Sequence, residues 1–182
     1  MKKKILLYTD TNSGNKLQAL KNVAEKNELL EIPEVTFKEP KIKEDILMTE
    51  NKVNDAAIRR CHRPSVEIDI KKGGCSIGIQ KGFYRDKNNT YYLIHVVSLI
   101  ENGRFAKPII ECAKIAVNEK IAARLKTGKK FTSPIPLYEQ LTGKTEISWF
   151  ESTIEKAVVQ VIDRIKKRKE EKKRKKRELQ SA

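Results

Sequence analysis

The sequence predicts a mixed α/β fold in which one twisted sheet is flanked by helices. Three observations carry that expectation: the first third alternates short β-rich runs with helical spacing, the middle changes to a period of two, and the last third returns to helical spacing.

Residues 5–8 (Ile-Leu-Leu-Tyr) are a short apolar run that reads as a strand. The polar, Gly-containing stretch from Thr9 to Asn15 ends it. Lys16 then opens a helix predicted over residues 16–30, with Leu17, Leu20, Val23 and Ala24 at i, i+3 and i+4 positions. Residues 31–40 carry Pro33 and Pro40, which exclude a helix and hold the preceding residues extended, so a strand at or near a sheet edge is expected there. Thr49 caps a second helix expected to reach Cys61, with Val53, Ala56, Ala57 and Arg60 along one side.

Residues 75–79 and 90–100 are β-like runs separated by the turn-forming Asp86-Lys87-Asn88-Asn89, and they read as adjacent antiparallel strands. Asn102-Gly103 is a hairpin signal that returns the chain as a third strand over 104–110. From Glu111 to Lys126 the spacing of Cys112, Ile115, Ala116, Ala123 and Leu125 predicts a charged helix that stops at Gly128. Residues 129–140, with Ser133-Pro134-Ile135-Pro136, are expected to be irregular. Residues 152–164 form a helix whose Ile154, Ala157, Val158, Val161 and Ile162 face a core.

With 182 residues the chain has the length for one core, so the expected organisation is an α/β domain over 1–165 and a Lys/Arg-rich tail over 166–182. Between 166 and 177 there are ten Lys or Arg and two Glu, a net of +8 out of the total of +15. The body is therefore only moderately basic. No run of about 18 apolar residues is present, and the Met-Lys-Lys-Lys start lacks the apolar segment of a secretion signal, so a cytoplasmic protein with no membrane partner is expected. Cys61, Cys75 and Cys112 are odd in number and widely spaced, which suits reduced thiols. Cys61-His62 has no second ligand pair at zinc spacing, so these two read as unrelated side chains.

The chemistry concentrates at the first strand–helix junction. A strand ending in a small-residue turn at a helix N-terminus leaves backbone N–H groups unpaired, and together with the helix dipole these favour phosphate. Lys16 adds a positive charge. The spacing matches neither G-x-x-x-x-G-K-[ST] nor G-x-G-x-x-G, so an ordinary strand-to-helix turn is the competing reading.

Three segments, in order, resemble the inosine/xanthosine triphosphatase family of the inosine-triphosphate pyrophosphatase superfamily. Thr11-Asn12-Ser13-Gly14-Asn15-Lys16-Leu17-Gln18-Ala19-Leu20 is similar to its T-N-P-x-K-x-x-A start. The stretch from Thr49 through Glu50 to Ala56 is similar to its E-E-T-x-x-G-A helix, and Ile77-Gly78-Ile79-Gln80-Lys81-Gly82 to its V-G-x-E-x-G strand and turn. Leu141-Thr142-Gly143-Lys144 followed by Ala157-Val158 is similar to its L-T-x-G ending. The resemblance implies a two-lobed α/β fold whose groove binds a purine nucleoside triphosphate with Mg2+ or Mn2+ and hydrolyses deaminated purines such as inosine and xanthosine triphosphate. Thr11, Asn12, Lys16 and Lys81 would then face the phosphates, Gln80 and Glu50 would occupy catalytic positions, and Glu50 would hold the metal.

The departures matter to that chemistry, because a divalent ion on phosphate oxygens needs carboxylates. The family's central Glu is Gln80 here, which brings no negative charge. The acid that stands shortly before the central strand aligns nearest Gly74, and no Arg lies between Gly143 and Ala157.

Lys166, Lys167, Arg168, Lys172, Lys173, Arg174, Lys175, Lys176 and Arg177 form a basic run that continues the helical phase without apolar residues. Such a run is a solvated extension, a contact to the phosphates of RNA or DNA, or a nuclear address in a eukaryotic cell. The alternative function is therefore an inactive family member that binds nucleic acid or a ribonucleoprotein through this tail. A third is an interaction or homodimer module using strand 90–100 and the last helix.

Overall fold

The structure is a computed structural model that describes residues 4–11, 14–35, 37, 49–67, 74–101, 107–127 and 136–180. In chain order its elements are β1 (Ile5–Thr9), α1 (Gly14–Lys26), β2 (Leu30–Glu31), α2 (Glu50–Glu67), β3 (Cys75–Arg85), β4 (Tyr91–Glu101), β5 (Ile109–Ala116), α3 (Glu119–Lys126), α4 (Leu137–Thr142) and α5 (Glu146–Gln180). The five strands form one open sheet in the order β2-β1-β3-β4-β5. The expected α/β class, with one mixed sheet flanked by helices, is what the chain adopts.

β1 pairs in parallel with both β2 and β3, whereas β3-β4 and β4-β5 are antiparallel. The β3–β4 register runs unbroken from Cys75↔Glu101 to Arg85↔Tyr91. Asp86 closes that hairpin, its carboxylate accepting from the backbone N–H of Asn88 at 2.9 Å and of Thr90 at 2.8 Å, while Asn89 takes the left-handed conformation (φ 62°) that Asn tolerates.

Alternation along the strands assigns the two faces. Leu7, Ile77, Ile79, Val97, Leu99 and Ile109 point to one face, where they pack with Ala19, Leu20 and Val23 of α1 and with Phe150, Ile154, Ala157, Val158, Val161 and Ile162 of α5. Each buried Leu, Ile or Phe there contributes about 1.5–3 kcal/mol of transfer free energy. On the opposite face Val53 and Ala57 of α2 meet Tyr84, Ile94 and Val96. Beyond the sheet's middle, α3 and α4 cover the far end of the β3–β4 hairpin, around Tyr91 and Leu93.

Several expectations change on contact with the fold, among them the edge strand expected over 31–40, which is confined to Leu30–Glu31 among the described residues. The first helix ends at Lys26, not Leu30, because Leu30 is drawn into pairing beside Ile5. The second runs past Cys61 to Glu67 with Pro64 inside its last turn, where the missing N–H costs one hydrogen bond. The helix expected from Glu111 begins only at Glu119, since residues 109–116 pair with β4 from Leu99↔Ile109 to Tyr92↔Ala116; its N-cap is Asn118, which accepts from Ile121 N at 3.0 Å. The last helix starts at Glu146 rather than 152, because burial of Trp149 and Phe150 extends it backwards, and Leu137–Thr142 is helical where irregular chain was expected. The Asn102-Gly103 hairpin and the prolines at 134 and 40 lie outside the described residues.

α5 stays helical to Gln180, yet beyond Ile165 none of its residues is buried. β4, offered above as an interaction surface, is interior: it lies between β3 and β5 and is buried from both faces. Among the described residues no helix is long and apolar enough to cross a membrane.

Candidate functional site

β1 is the point where the chain divides. After it, α1 leads to β2 on one side, and α2 later leads to β3 on the other, so the carboxyl end of β1 is a topological switch point with helices leaving to opposite faces. In open α/β sheets, ligands take the crevice at this point, outside the carboxyl ends of the parallel strands. The residues there are Thr9, Asp10 and Thr11, followed by the start of α1 at Gly14. Thr9 Oγ1 accepts from Thr11 N–H at 3.1 Å and folds the turn on itself.

The face toward α2 holds a buried polar cluster. Asp10 is fully buried, Gln80 of β3 is fully buried, and Arg60 of α2 is 6 % exposed. Arg60 Nε donates to Gln80 Oε1 at 2.8 Å, its Nη1 lies 3.7 Å from Asp10 Oδ2, and Gln80 Nε2 donates to the carbonyl of Lys81 at 2.8 Å. Removing three such groups from water is costly unless each is compensated, and here the guanidinium donates to an amide oxygen and stands at ion-pair distance from a carboxylate.

The face toward α5 holds a second cluster. Glu146, in the first turn of α5 and 4 % exposed, accepts from Lys81 Nζ at 2.6 Å and from Asn15 Nδ2 at 3.1 Å. Its backbone N–H donates to Glu139 Oε1 at 3.1 Å. This carboxylate therefore ties the starts of α1 and α5 to β3. The same two helices are clamped further along, where Glu151 accepts from Asn22 at 2.5 Å and from Lys26 at 2.8 Å.

Beside it, His95 of β4 is fully buried against Trp149 (ring centroids 4.2 Å apart, edge-on) and Phe150 (4.8 Å), and among the described residues neither ring nitrogen has a hydrogen-bond partner. Burial, helped by the positive charges of Lys16 and Lys81, pushes its pKa down from 6.5 to about 3. The unfolded chain thus takes up a proton near pH 6.5 that the folded chain refuses. Stability is full above that pH and falls as pH drops through the window toward 3. Between pH 7 and 5 the loss should be about 2 kcal/mol, seen as a falling urea midpoint, and His95→Leu should flatten that slope.

The predicted site residues now have places. Thr11 ends β1's turn and is 5 % exposed; Lys16 and Lys81 lie on the α5-facing side, where both act on His95. Gln80 is at the centre of the sheet but points to the other face, into the Arg60 cluster. Glu50 begins α2, and Arg60 follows it by ten residues, about 15 Å of helix. The charge of Glu50 acts instead on Lys114 of β5, whose ammonium is held above its usual range, first by the hydrogen bond to Tyr84 (2.9 Å). Asn12 lies outside the described residues. In the basic extension Arg168 pairs with Glu101 of β4, while residues 172–177 are exposed.

Gly74 explains one departure noted above. Its φ of +94° disfavours any side chain, and an added Cβ would lie 2.7 Å from Leu6 O, so no acid fits there. Cys61 donates its thiol to Ser76 O at 2.9 Å, and burial pushes the thiols of Cys61 and Cys75 up to about 12. His62, by contrast, is exposed.

Mg2+ or Mn2+ at the Gln80 position would meet the wrong donors. The amide oxygen is taken by the Arg60 guanidinium, and Asp10 faces the same fixed cation. These residues do not fit a divalent ion. Among the described residues no group of three or more His, Cys, Asp or Glu is placed to hold a metal.

No protein-family model and no curated protein matches the sequence. Among solved structures, the crystal structure of protein VC0702 from Vibrio cholerae is similar, with a TM-score of 0.62 over 87 % of this chain and 96 % of that one, at 11 % identity. What is shared is the fold. At that identity the likeness carries the order and packing of the elements and leaves the chemistry to the residues described above.

Sequence reasoning missed Asp10, Asn15 and Glu146. Arg60 was legible as the one charged residue in the apolar stripe of α2, a position where burial forces a partner.

Proposed function

We propose that this protein binds a purine nucleoside triphosphate of the inosine or xanthosine type at the mouth between β1 and α1, and that it does so without metal-dependent hydrolysis at Gln80. The observation that carries the reading is the switch point itself: a threonine turn ahead of a helix N-terminus, with Lys16 and Lys81 on one side of it. The backbone N–H groups at the start of α1 and the Lys16 ammonium offer what a polyphosphate needs, while the Lys81 ammonium beside them is held by Glu146. The motif resemblance supplies the purine.

Hydrolysis is set aside because Arg60 holds Gln80, so the central position neither binds a metal nor orients a water through a carboxylate. Titration calorimetry with inosine triphosphate should show binding in EDTA as well as in Mg2+. Lys16→Ala should weaken it by about tenfold or more, the loss of one charge-assisted hydrogen bond. Absence of binding by either triphosphate overturns the proposal, and release of phosphate or pyrophosphate overturns its metal-free part.

A second reading concerns the extension of α5. Because the helix is continuous to Gln180 and exposed throughout residues 169–180, its lysines and arginines are presented on one rod rather than on a loose coil. That arrangement favours contact with nucleic-acid phosphates. Truncation after Ile165 should abolish a salt-sensitive affinity for RNA or DNA, and retained affinity in the truncated protein would dispose of this reading.

A further inference from the structure

We propose that the nucleoside end of the ligand lies in the cavity between α1 and the chain leaving β2, an inference that rests on the phosphate reading above and assigns the other half of the molecule. The cavity measures about 670 Å3, within the range of small-molecule sites. It begins where the phosphate site ends: Thr11 lines it, and the Thr11 hydroxyl is buried with no hydrogen-bond partner among the described residues.

The far walls have the chemistry of a nucleoside. Leu17 and Ala24, two helical turns apart on α1, line one side with Lys21 between them, and Ile32 and Pro33 line the cavity beyond β2. Glu31 and Glu34 line the same space at the carboxyl end of β2. In nucleotide-binding α/β units the phosphate takes the helix after the first strand. The ribose hydroxyls then meet an acid about 20 residues later at the end of the second strand. From Gly14 the two glutamates come at that interval and at that strand end, without the glycine-rich fingerprint. Glu31 pairs with Lys4 at 3.6 Å, so Glu34 is the acid assigned to accept from the sugar hydroxyls, which orders the ligand with its polyphosphate at α1 and its sugar at β2.

The test separates the two halves of the ligand. Inosine triphosphate and inorganic tripolyphosphate are titrated onto the wild-type protein, onto Leu17→Trp, which fills the cavity, and onto Ala24→Phe, which fills it from a second point on the same wall. Each variant should lose about tenfold or more in affinity for inosine triphosphate while binding tripolyphosphate within about twofold of wild type. Unchanged inosine triphosphate binding in both variants, or equal losses for both ligands, overturns the inference and leaves the phosphate site standing. A wild-type protein that binds neither ligand removes the phosphate reading, and this inference with it.

Discussion

Replacing Gly78 by valine should unfold or nearly unfold the protein. Gly78 lies on β3 where α2 crosses it, and a Cβ built there falls 2.2 Å from the carbonyl oxygen of Ala57 and 2.5 Å from the amide nitrogen of Cys61. Both are backbone atoms in the middle of a helix, so neither can rotate aside, and the only relief is to lift α2 from the sheet. Lifting it exposes Val53 and Ala57 and separates Arg60 from Gln80. Overpacking in a rigid core costs about 1–3 kcal/mol, and more where backbone must move. With the lost burial added, a loss of at least about 3 kcal/mol is expected, against a typical total stability of about 5–15 kcal/mol. Urea denaturation followed by circular dichroism measures it; a midpoint within experimental error of wild type would show that α2 does not rest on β3 as described.

Arg60→Met should have an effect of similar size by a different route. Methionine matches the volume of the Arg60 stem but leaves the buried Asp10 facing no guanidinium and Gln80 Oε1 without its donor. Breaking a buried pair by removing one partner costs about 3–5 kcal/mol, because the remaining charge stays buried and loses that partner's compensation. Asp10→Asn combined with Arg60→Met removes the stranded charge, and the double variant should be more stable than Arg60→Met alone. If Arg60→Met is as stable as wild type, the cluster is not a dry, mutually dependent network. The comparison bears on function too. The guanidinium that holds the fold together at Gln80 is the same one that keeps a divalent ion away, so the site's chemistry and the stability of α2 rest on one side chain.

The parts of the fold that local pattern could reveal were the helices buried on one side and the most concentrated runs of strand-forming residues. α1 and α2 show an apolar stripe at helical spacing, β4 is a long run rich in β-branched and aromatic residues, and β3 was visible only over residues 75–79 of the strand that reaches Arg85. β5 escaped for a physical reason. Residues 109–116 place Ile and Ala on both faces, with Glu111 and Lys114 between, so that periods of 2 and 3.6 fit equally well. Pairing with β4 settles the matter, and that pairing is not local. The start of α5 was hidden likewise: Glu146 and Ser148 look like surface until Trp149 and Phe150 are seen to close over His95.

The candidate site divides the same way. Thr11 and Lys16 belong to a contiguous turn, and contiguity is visible in one dimension. Lys81 and Glu146 stand 65 positions apart, and Asp10, Arg60 and Gln80 come from three elements.

By itself, then, the amino-acid order determined which segments bury a face, where the first turn offers unpaired N–H groups, and how strongly the last stretch of chain is charged. Only tertiary structure decided that Gln80 answers to Arg60, that Lys81 answers to Glu146, and that a cavity opens between α1 and the end of β2. The reason is that helix and strand periods arise from neighbours a few residues apart, whereas a buried charge takes its meaning from whichever distant group the fold brings within hydrogen-bond reach.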